Sequence, residues 1–146
     1  MSNKKTYKAM VYCRIAYEPK TALYCRTAVQ DSSIIEHQKD RLLRFAKENG
    51  YINIAWYIDD GEKGNTFNRP AMQRLIADIK LSKVKTVIVT GIDRIARGIL
   101  PFAEWQRLLQ ERDTRCISLD NGGRGLFGEV THSVGFLSNL IDRKFE

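Results

Sequence analysis

The chain has 146 residues, enough for one domain with a single hydrophobic core, and its hydrophobic (43%) and charged (28%) fractions exclude extensive disorder. No apolar run approaches the roughly 18 residues that cross a bilayer, and the polar start MSNKKTYK lacks the apolar core of a signal peptide. We therefore expect a cytoplasmic protein that is neither secreted nor inserted in a membrane.

The net charge indicates the class of partner, and the cysteine content indicates the redox state of the protein. The chain carries 24 Lys and Arg against 17 Asp and Glu, a net charge of +7 that suits a polyanion such as nucleic acid, although a basic solvated surface is an equally good interpretation. Its three cysteines, Cys13, Cys25 and Cys116, are odd in number and lack metal-ligand spacing. They predict a reduced protein without a metal site, in which the thiols act as small hydrophobes.

Predicted strands and helices alternate along most of the chain. In order they are strand 22–25, helix 33–49, strand 51–58, helix 71–80, strand 85–90, helix 102–111 and strand 115–119. Ser33 and Glu36 resemble a capping box at the start of the first helix, and Gly50 is its stop signal. The alternation predicts an α/β fold with a mainly parallel sheet flanked by helices on both faces.

Both ends of the chain carry distinct features. Residues 1–20 form an N-terminal extension in which YCRIA, residues 12–16, is a near copy of YCRTA, residues 24–28. We assign 24–28 to the site because a predicted helix follows it directly; if the first copy enters the sheet, Arg14 replaces Arg26. Residues 127–146 predict the start of a long helix with one apolar stripe, for packing on the sheet or on another subunit.

Arginines gather in the three loops expected at the carboxyl ends of the strands, where such folds place their chemistry. They are Arg26, Arg69, Arg94 and Arg97. Guanidinium groups match phosphate oxygens, and several around one phosphorus stabilise the charge of phosphoryl transfer. The alternative is that they form surface ion pairs with loop aspartates, namely Asp59, Asp60 and Asp93.

The motifs YCRTA, DDGEKGNTFNRPAMQRL and IDRIAR, in that order, resemble the catalytic domain of the serine recombinases, the resolvase and invertase family. The resemblance covers residues 24–120 and implies DNA strand cleavage and rejoining through a phosphoserine intermediate, without a cofactor. It also implies site roles for nine positions: Tyr24, Arg26, Ala28, Gln38, Asp60, Arg69, Asp93, Arg94 and Arg97. The four arginines among them are the implied ligands of the DNA phosphate.

The sequence departs from the family pattern at its most important position, because Ala28 stands where the family has its nucleophilic serine. Three interpretations follow: a catalytically silent relative that still binds DNA or partners, a neighbouring hydroxyl that has taken over, or an alanine introduced to trap a complex. The candidate substitute nucleophiles are Thr27, Ser32 and Ser33, although Thr27 is expected to point to the other face of the strand.

From these features we expect one resolvase-type domain, residues 1–146, that acts on DNA in site-specific recombination. The resemblance implies a homodimer or tetramer formed through the C-terminal helix, and a sequence-reading domain downstream of this chain. Alternatives are a resolvase-like binding or assembly module without catalysis, and a doubly wound domain that binds a small phosphate compound.

Overall fold

The computed structural model describes residues 19–121, which form a parallel four-stranded sheet in the order β2-β1-β3-β4. The strands are β1 (Lys20–Thr27), β2 (Ile54–Asp60), β3 (Val84–Val89) and β4 (Arg115–Ser118). The helices are α1 (Ser32–Glu48), α2 (Pro70–Lys80) and α3 (Ile99–Glu111), and 3-10 turns span Ile92–Arg94 and Leu119–Asn121. The predicted order of strands and helices is confirmed.

Strand β1 is the centre of the fold. It pairs with β2 on one side and with β3 on the other, and every residue from Thr21 to Thr27 is buried. The chain runs from β1 outward to β2 and then crosses back to β3. The carboxyl ends of β1 and β3 therefore meet at the switch point of the sheet, where open α/β folds bind their ligands.

The period of two along β1 divides the core into two layers. Ala22 and Tyr24 face a cluster built with α2 and α3, which contribute Leu75 and Trp105. The alternate residues face α1. They pack in a second cluster that contains Leu23, Cys25, Leu42 and Ala46. Helices thus cover both faces of the sheet, as the sequence predicts.

Helix α1 begins one residue earlier than predicted, and its cap is different. The Asp31 carboxylate accepts hydrogen bonds from the backbone N–H groups of Ser33 and Ile34, at 2.9 and 3.3 Å, and from the Ser33 hydroxyl at 2.6 Å. The proposed capping box at Ser33 is wrong because the aspartate already satisfies these free donors of the first turn.

Two other elements begin three residues away from the predicted position. Strand β2 begins at Ile54 rather than at residue 51, since Gly50 turns the chain at φ +77° and the Tyr51 N–H still bonds to Ala46 O at 2.9 Å. Helix α3 begins at Ile99, three residues before the prediction, because Pro101 is tolerated in a first helical turn. Arg94 lies in the preceding 3-10 turn, so Arg94 and Arg97 do not share one helix.

The described cysteines behave as predicted. Cys25 and Cys116 are fully buried and unpaired, and burial raises the pKa of each thiol to about 12. Within residues 19–121 no helix is long and apolar enough to cross a membrane. The N-terminal near copy, Cys13, Arg14 and the proposed helix over 127–146 lie outside the described residues.

We expect Asp31→Ala to lower the melting temperature at pH 7 because it removes the cap of α1. The hydrogen bonds from Ser33 and Ile34 hold the pKa of Asp31 below its ordinary value of 3.8. The stabilisation is complete above that value and is lost as the pH falls through the folded-state pKa. The melting temperatures of wild type and variant should therefore converge once the pH lies below the folded-state pKa of Asp31.

The measurement is thermal unfolding by circular dichroism across this pH range. Asp40→Ala is the matched control, because Asp40 is an exposed residue in the middle of the same helix. An equal, pH-independent loss of melting temperature in both variants would contradict the capping role.

Candidate active site

Arg26 lies at the switch point, and its guanidinium group connects β1 to two loops. Nε donates to Arg94 O at 2.9 Å, one terminal nitrogen donates to Glu62 O at 2.9 Å, and the other donates to Asp93 O at 2.6 Å. The side chain is fully buried. Its donors thus bind main-chain carbonyls, and it holds the loop after β2 and the loop after β3 against the central strand.

A glycine makes this arrangement possible. A Cβ atom on Gly64 would lie 2.7 Å from a terminal nitrogen of Arg26 and 2.8 Å from its Cζ, closer than real Cβ contacts allow. The Gly64 carbonyl accepts the Arg97 N–H at 2.9 Å. The absence of a side chain at residue 64 therefore lets the β2 loop lie over the guanidinium group and also contact the β3 loop.

Arg69 makes a similar contribution from the end of the β2 loop. Its terminal nitrogens donate to Arg94 O, at 3.3 Å, and to Ile95 O, and its Cζ lies 5.6 Å from the centre of the Tyr24 ring. Burial is the main cause that lowers the pKa of Arg69 and of Arg26, and each guanidinium remains charged at neutral pH. Two buried cations thus lie under the same turn.

The other two loop arginines are more accessible. Arg94 is half-buried and donates to Arg26 O at 3.2 Å, while its Nε is buried without a hydrogen-bond partner among the described residues. Arg97 is exposed, and its backbone N–H donates to Gly64 O. Arg69 Nε also lacks a partner among the described residues, but Arg69 is fully buried, so Arg94 and Arg97 are the arginines that an external anion can reach.

The alternative that the loop arginines form surface ion pairs with loop aspartates does not hold within residues 19–121. None of the four arginines forms an ion pair with Asp59, Asp60 or Asp93 there; the ion pairs are Lys39 with Glu36 and Arg41 with Asp120. Backbone carbonyls take the place of carboxylates around the buried guanidinium groups. Within residues 19–121 these arginines thus form no contact ion pair, although the charges of Asp59 and Glu62 lie close enough to Arg69 to oppose the lowering of its pKa.

Gln38 and Asp60 fix the backbone on either side of residue 28. The Gln38 amide bonds in both directions to the backbone of Arg26, at 3.1 and 3.0 Å. One oxygen of Asp60 accepts the Thr27 hydroxyl at 2.7 Å and the Asp31 N–H at 2.9 Å. The loop 28–30 is thus held at both of its ends.

Tyr24 donates a hydrogen bond to Asp59, a residue that the sequence interpretation did not assign to the site. Its hydroxyl donates to Asp59 at 2.7 Å, and the same buried carboxylate accepts the N–H groups of Ala71 and Met72 at 2.8 and 3.0 Å. Asp59 therefore ties the first turn of α2 to β1. The signal in the sequence was alternation, which places Asp59 and Asp60 on opposite faces of β2. Burial raises the pKa of Tyr24 well above its ordinary value, so the phenol stays a neutral donor.

The side chains proposed as nucleophiles lie in and beside this loop. Ala28 is exposed, directly after β1, and Ser32 and Ser33 are exposed in the first turn of α1. The Ser33 hydroxyl donates to Asp31, and the Thr27 hydroxyl is buried against Asp60. Hence two of the three substitute hydroxyls already have structural partners, whereas the Ser32 hydroxyl has no hydrogen-bond partner among residues 19–121.

Of the predicted site residues, the structure brings Arg26, Arg69, Asp93 and Arg94 into one bonded network, and Tyr24 and Arg97 contact it. Asp93 enters through its backbone carbonyl, and its side chain is exposed. Gln38 and Asp60 hold the adjoining strand and loop. Among residues 19–121 no group of three or more His, Cys, Asp or Glu could hold a metal ion.

Comparisons with known proteins agree with this geometry. The model of the resolvase N-terminal domain family matches residues 21–137. The N-terminal catalytic domain of TP901-1 integrase is 28% identical, with a TM-score of 0.72 over 86% of this chain and 98% of that one. A search of curated proteins gives no match.

Two further structures share the fold. A resolvase family site-specific recombinase from Streptococcus pneumoniae is 24% identical, with a TM-score of 0.68 over 87% of this chain and 88% of that one. The C-terminal catalytic domain of ISC1926 TnpA, an IS607-like serine recombinase, is 21% identical, with a TM-score of 0.62 over 68% and 67%.

We expect Gly64→Ala to reduce the free energy of unfolding by about 1–3 kcal/mol, because the added methyl group displaces the Arg26 guanidinium from its carbonyls. The measurement is urea denaturation. In an Arg26→Met background the same change should have a smaller effect, since methionine ends one atom before the Cζ position and lacks the guanidinium atoms that the methyl group would meet. Equal losses in the two backgrounds would show that the contact with Arg26 is not the cause.

Proposed function

Since the chain belongs to the resolvase family of serine recombinases, we propose that it is a recombinase catalytic framework that binds a DNA phosphodiester and, with Ala28, lacks the attacking hydroxyl. One observation carries the proposal: the loop that bears Ala28 is held in place by Asp60, beside a cluster of arginines that form no contact ion pair within residues 19–121. The framework is intact, and only the reactive group is missing.

In this proposal the arginines divide into two kinds. Arg26 and Arg69 are positioning residues, because their donors bind the carbonyls of the turn that carries Arg94. Arg94 and Arg97 contact the phosphate, because they are the two of the four that are accessible to solvent. Two guanidinium groups on one phosphate would stabilise the charge that develops on its oxygens.

A serine at residue 28 would complete the reaction. Its oxygen would form a bond to phosphorus, the bond from phosphorus to the leaving sugar oxygen would break, and the protein would keep a phosphoserine link. A methyl group has no lone pair and no proton to lose. We therefore propose that the chain binds DNA without cutting it.

A displaced nucleophile is less well supported. The hydroxyls of Ser33 and Thr27 donate to Asp31 and Asp60, so each would have to leave a structural hydrogen bond before it could attack. Ser32 is exposed and remains the candidate to exclude. Self-association through residues 127–146, a downstream DNA-reading domain and a cytoplasmic location stay predictions.

We expect Ala28→Ser to restore phosphorus chemistry towards bis(p-nitrophenyl) phosphate, a probe that needs no recognition sequence. The new hydroxyl should become phosphorylated with release of one p-nitrophenolate, seen by absorbance and by intact-protein mass. A second change, Arg94→Ala, should slow the labelling by about a hundredfold because it removes a charge-stabilising donor.

Val29→Ser is the matched control, since it places a hydroxyl on the next exposed residue of the same loop. Labelling of wild type, mapped to Ser32 or Ser33, would identify a displaced nucleophile instead. Equal labelling of the variants at residues 28 and 29 would mean that the site does not direct the chemistry.

We expect Arg97→Ala to weaken binding to duplex DNA and to reduce the slope of log affinity against log salt by about 1, the loss of one phosphate contact. Fluorescence anisotropy with a labelled duplex measures both. Arg112→Ala is the control, because Arg112 caps the far end of α3 and carries the same charge. Equal reductions in the two variants would indicate diffuse attraction rather than a phosphate site.

A further inference from the structure

The sequence contains two near copies of the central strand, and only one of them forms β1. Residues 8–16 read KAMVYCRIA and residues 20–28 read KTALYCRTA, with Lys, Tyr, Cys, Arg and Ala identical at five aligned positions. The copies lie twelve residues apart, an even number, so a shift from one to the other keeps every side chain on its own face of the sheet.

Three of the five shared residues have side chains that the surrounding fold binds or buries. Tyr24 donates to Asp59, the Arg26 guanidinium donates to three carbonyls, and Cys25 is fully buried between the sheet and α1. Apart from the Thr27 hydroxyl, the other side chains of the strand make no hydrogen bond to the described residues. The first copy therefore carries the tyrosine, the cysteine and the arginine that this position in the sheet requires.

We propose that residues 8–16 of the same chain compete with residues 20–28 for the β1 position, so that the domain exchanges between two registers of its central strand. Such an exchange needs neither DNA nor a nucleophile. The strand also stays parallel to its neighbours, because both copies precede α1 and would enter the sheet in the same direction.

The surface beside the start of β1 offers apolar contacts to a neighbouring segment of the same chain. The Lys20 N–H bonds to Lys83 O at 2.8 Å, and the Thr21 N–H bonds to Asn53 O at 2.7 Å. Close to these two carbonyls in the chain, Ile52 and Leu81 are 84% and 59% exposed. Exposed apolar side chains at this edge offer contacts to an apolar segment that reaches it.

Two differences make the second copy the better occupant. Ala22 is fully buried in the core, where Met10 would be larger than the space. The Thr27 hydroxyl donates to Asp60 and accepts from the Gly61 N–H at 3.1 Å, and Ile15 has no hydroxyl for either bond. The first copy should therefore occupy the strand in a minority of molecules.

The connection to α1 permits the exchange. In the described register residues 28–31 join β1 to α1, whereas in the shifted register residues 16–31 would join them. The entropic cost of closing a loop rises only slowly with its length. The longer connection would lie at the edge of the sheet that carries Arg94 and Arg97, and would change access to the proposed phosphate site.

Cysteine alkylation tests the exchange, because the copy outside the sheet exposes its thiol. A Cys13→Ala variant, whose first copy cannot be blocked by alkylation, serves as the background for all variants; it is treated with iodoacetamide, and the rates at Cys25 and Cys116 are followed by peptide mass spectrometry. Both thiols are fully buried, so Cys116 reports global unfolding. We expect Cys25 to react faster than Cys116.

Two variants outside the described core separate the exchange from simple local opening. Arg14→Glu would place a carboxylate against three carbonyl oxygens, so it should lower the Cys25 rate to that of Cys116. Met10→Ala combined with Ile15→Thr makes the first copy fit better, so it should raise the Cys25 rate about tenfold while the Cys116 rate stays unchanged.

Three results would overturn the proposal. Equal rates at Cys25 and Cys116 in all three proteins would mean that no exchange occurs. A faster Cys25 rate that Arg14→Glu leaves unchanged would mean local opening without the first copy. A Cys25 rate that rises with protein concentration would mean that the competing strand comes from a second molecule.

Discussion

The structure depends on the binding of the Arg26 guanidinium by three backbone carbonyls. A buried cation is costly unless its donors are satisfied, and here the loops after β2 and β3 satisfy them. Because carbonyl dipoles replace carboxylates, the charge is solvated but not cancelled. The same interaction therefore holds two loops to the central strand and keeps a charged guanidinium group where the strands end.

Around this contact, three acidic residues have structural partners. Asp59 joins Tyr24 to the first turn of α2, Asp60 joins the ends of the β1 loop, and Asp31 caps α1. These carboxylates thus bind hydroxyls and backbone N–H groups. Within residues 19–121 no carboxylate oxygen therefore occupies a guanidinium donor of the four site arginines.

The sequence predicted the layers of the fold because period and composition are local signals: strands 22–25 and 85–90 and the helix over 71–80 needed only their own residues. It could not predict which donors and acceptors would pair. The burial of Arg26 depends on carbonyls more than thirty residues away and on a glycine at residue 64, and Asp59 was missed because its partners lie in β1 and α2. The cap of α1 was misassigned by two residues because several candidate caps, Asp31, Ser32 and Ser33, stand side by side. The order of the motifs was enough to identify the family, but the sequence did not predict which side chains contact each other.

The exposed methyl group of Ala28 has a genetic consequence. No described side chain in the core depends on that residue, so the residues that maintain the fold and the residue that would attack phosphorus are separate targets of mutation. Alanine and serine codons of the GCN and TCN sets differ by one nucleotide. A single base change could therefore convert a DNA-cutting protein into a folded, non-cutting one, or reverse the conversion, without passing through an unstable intermediate.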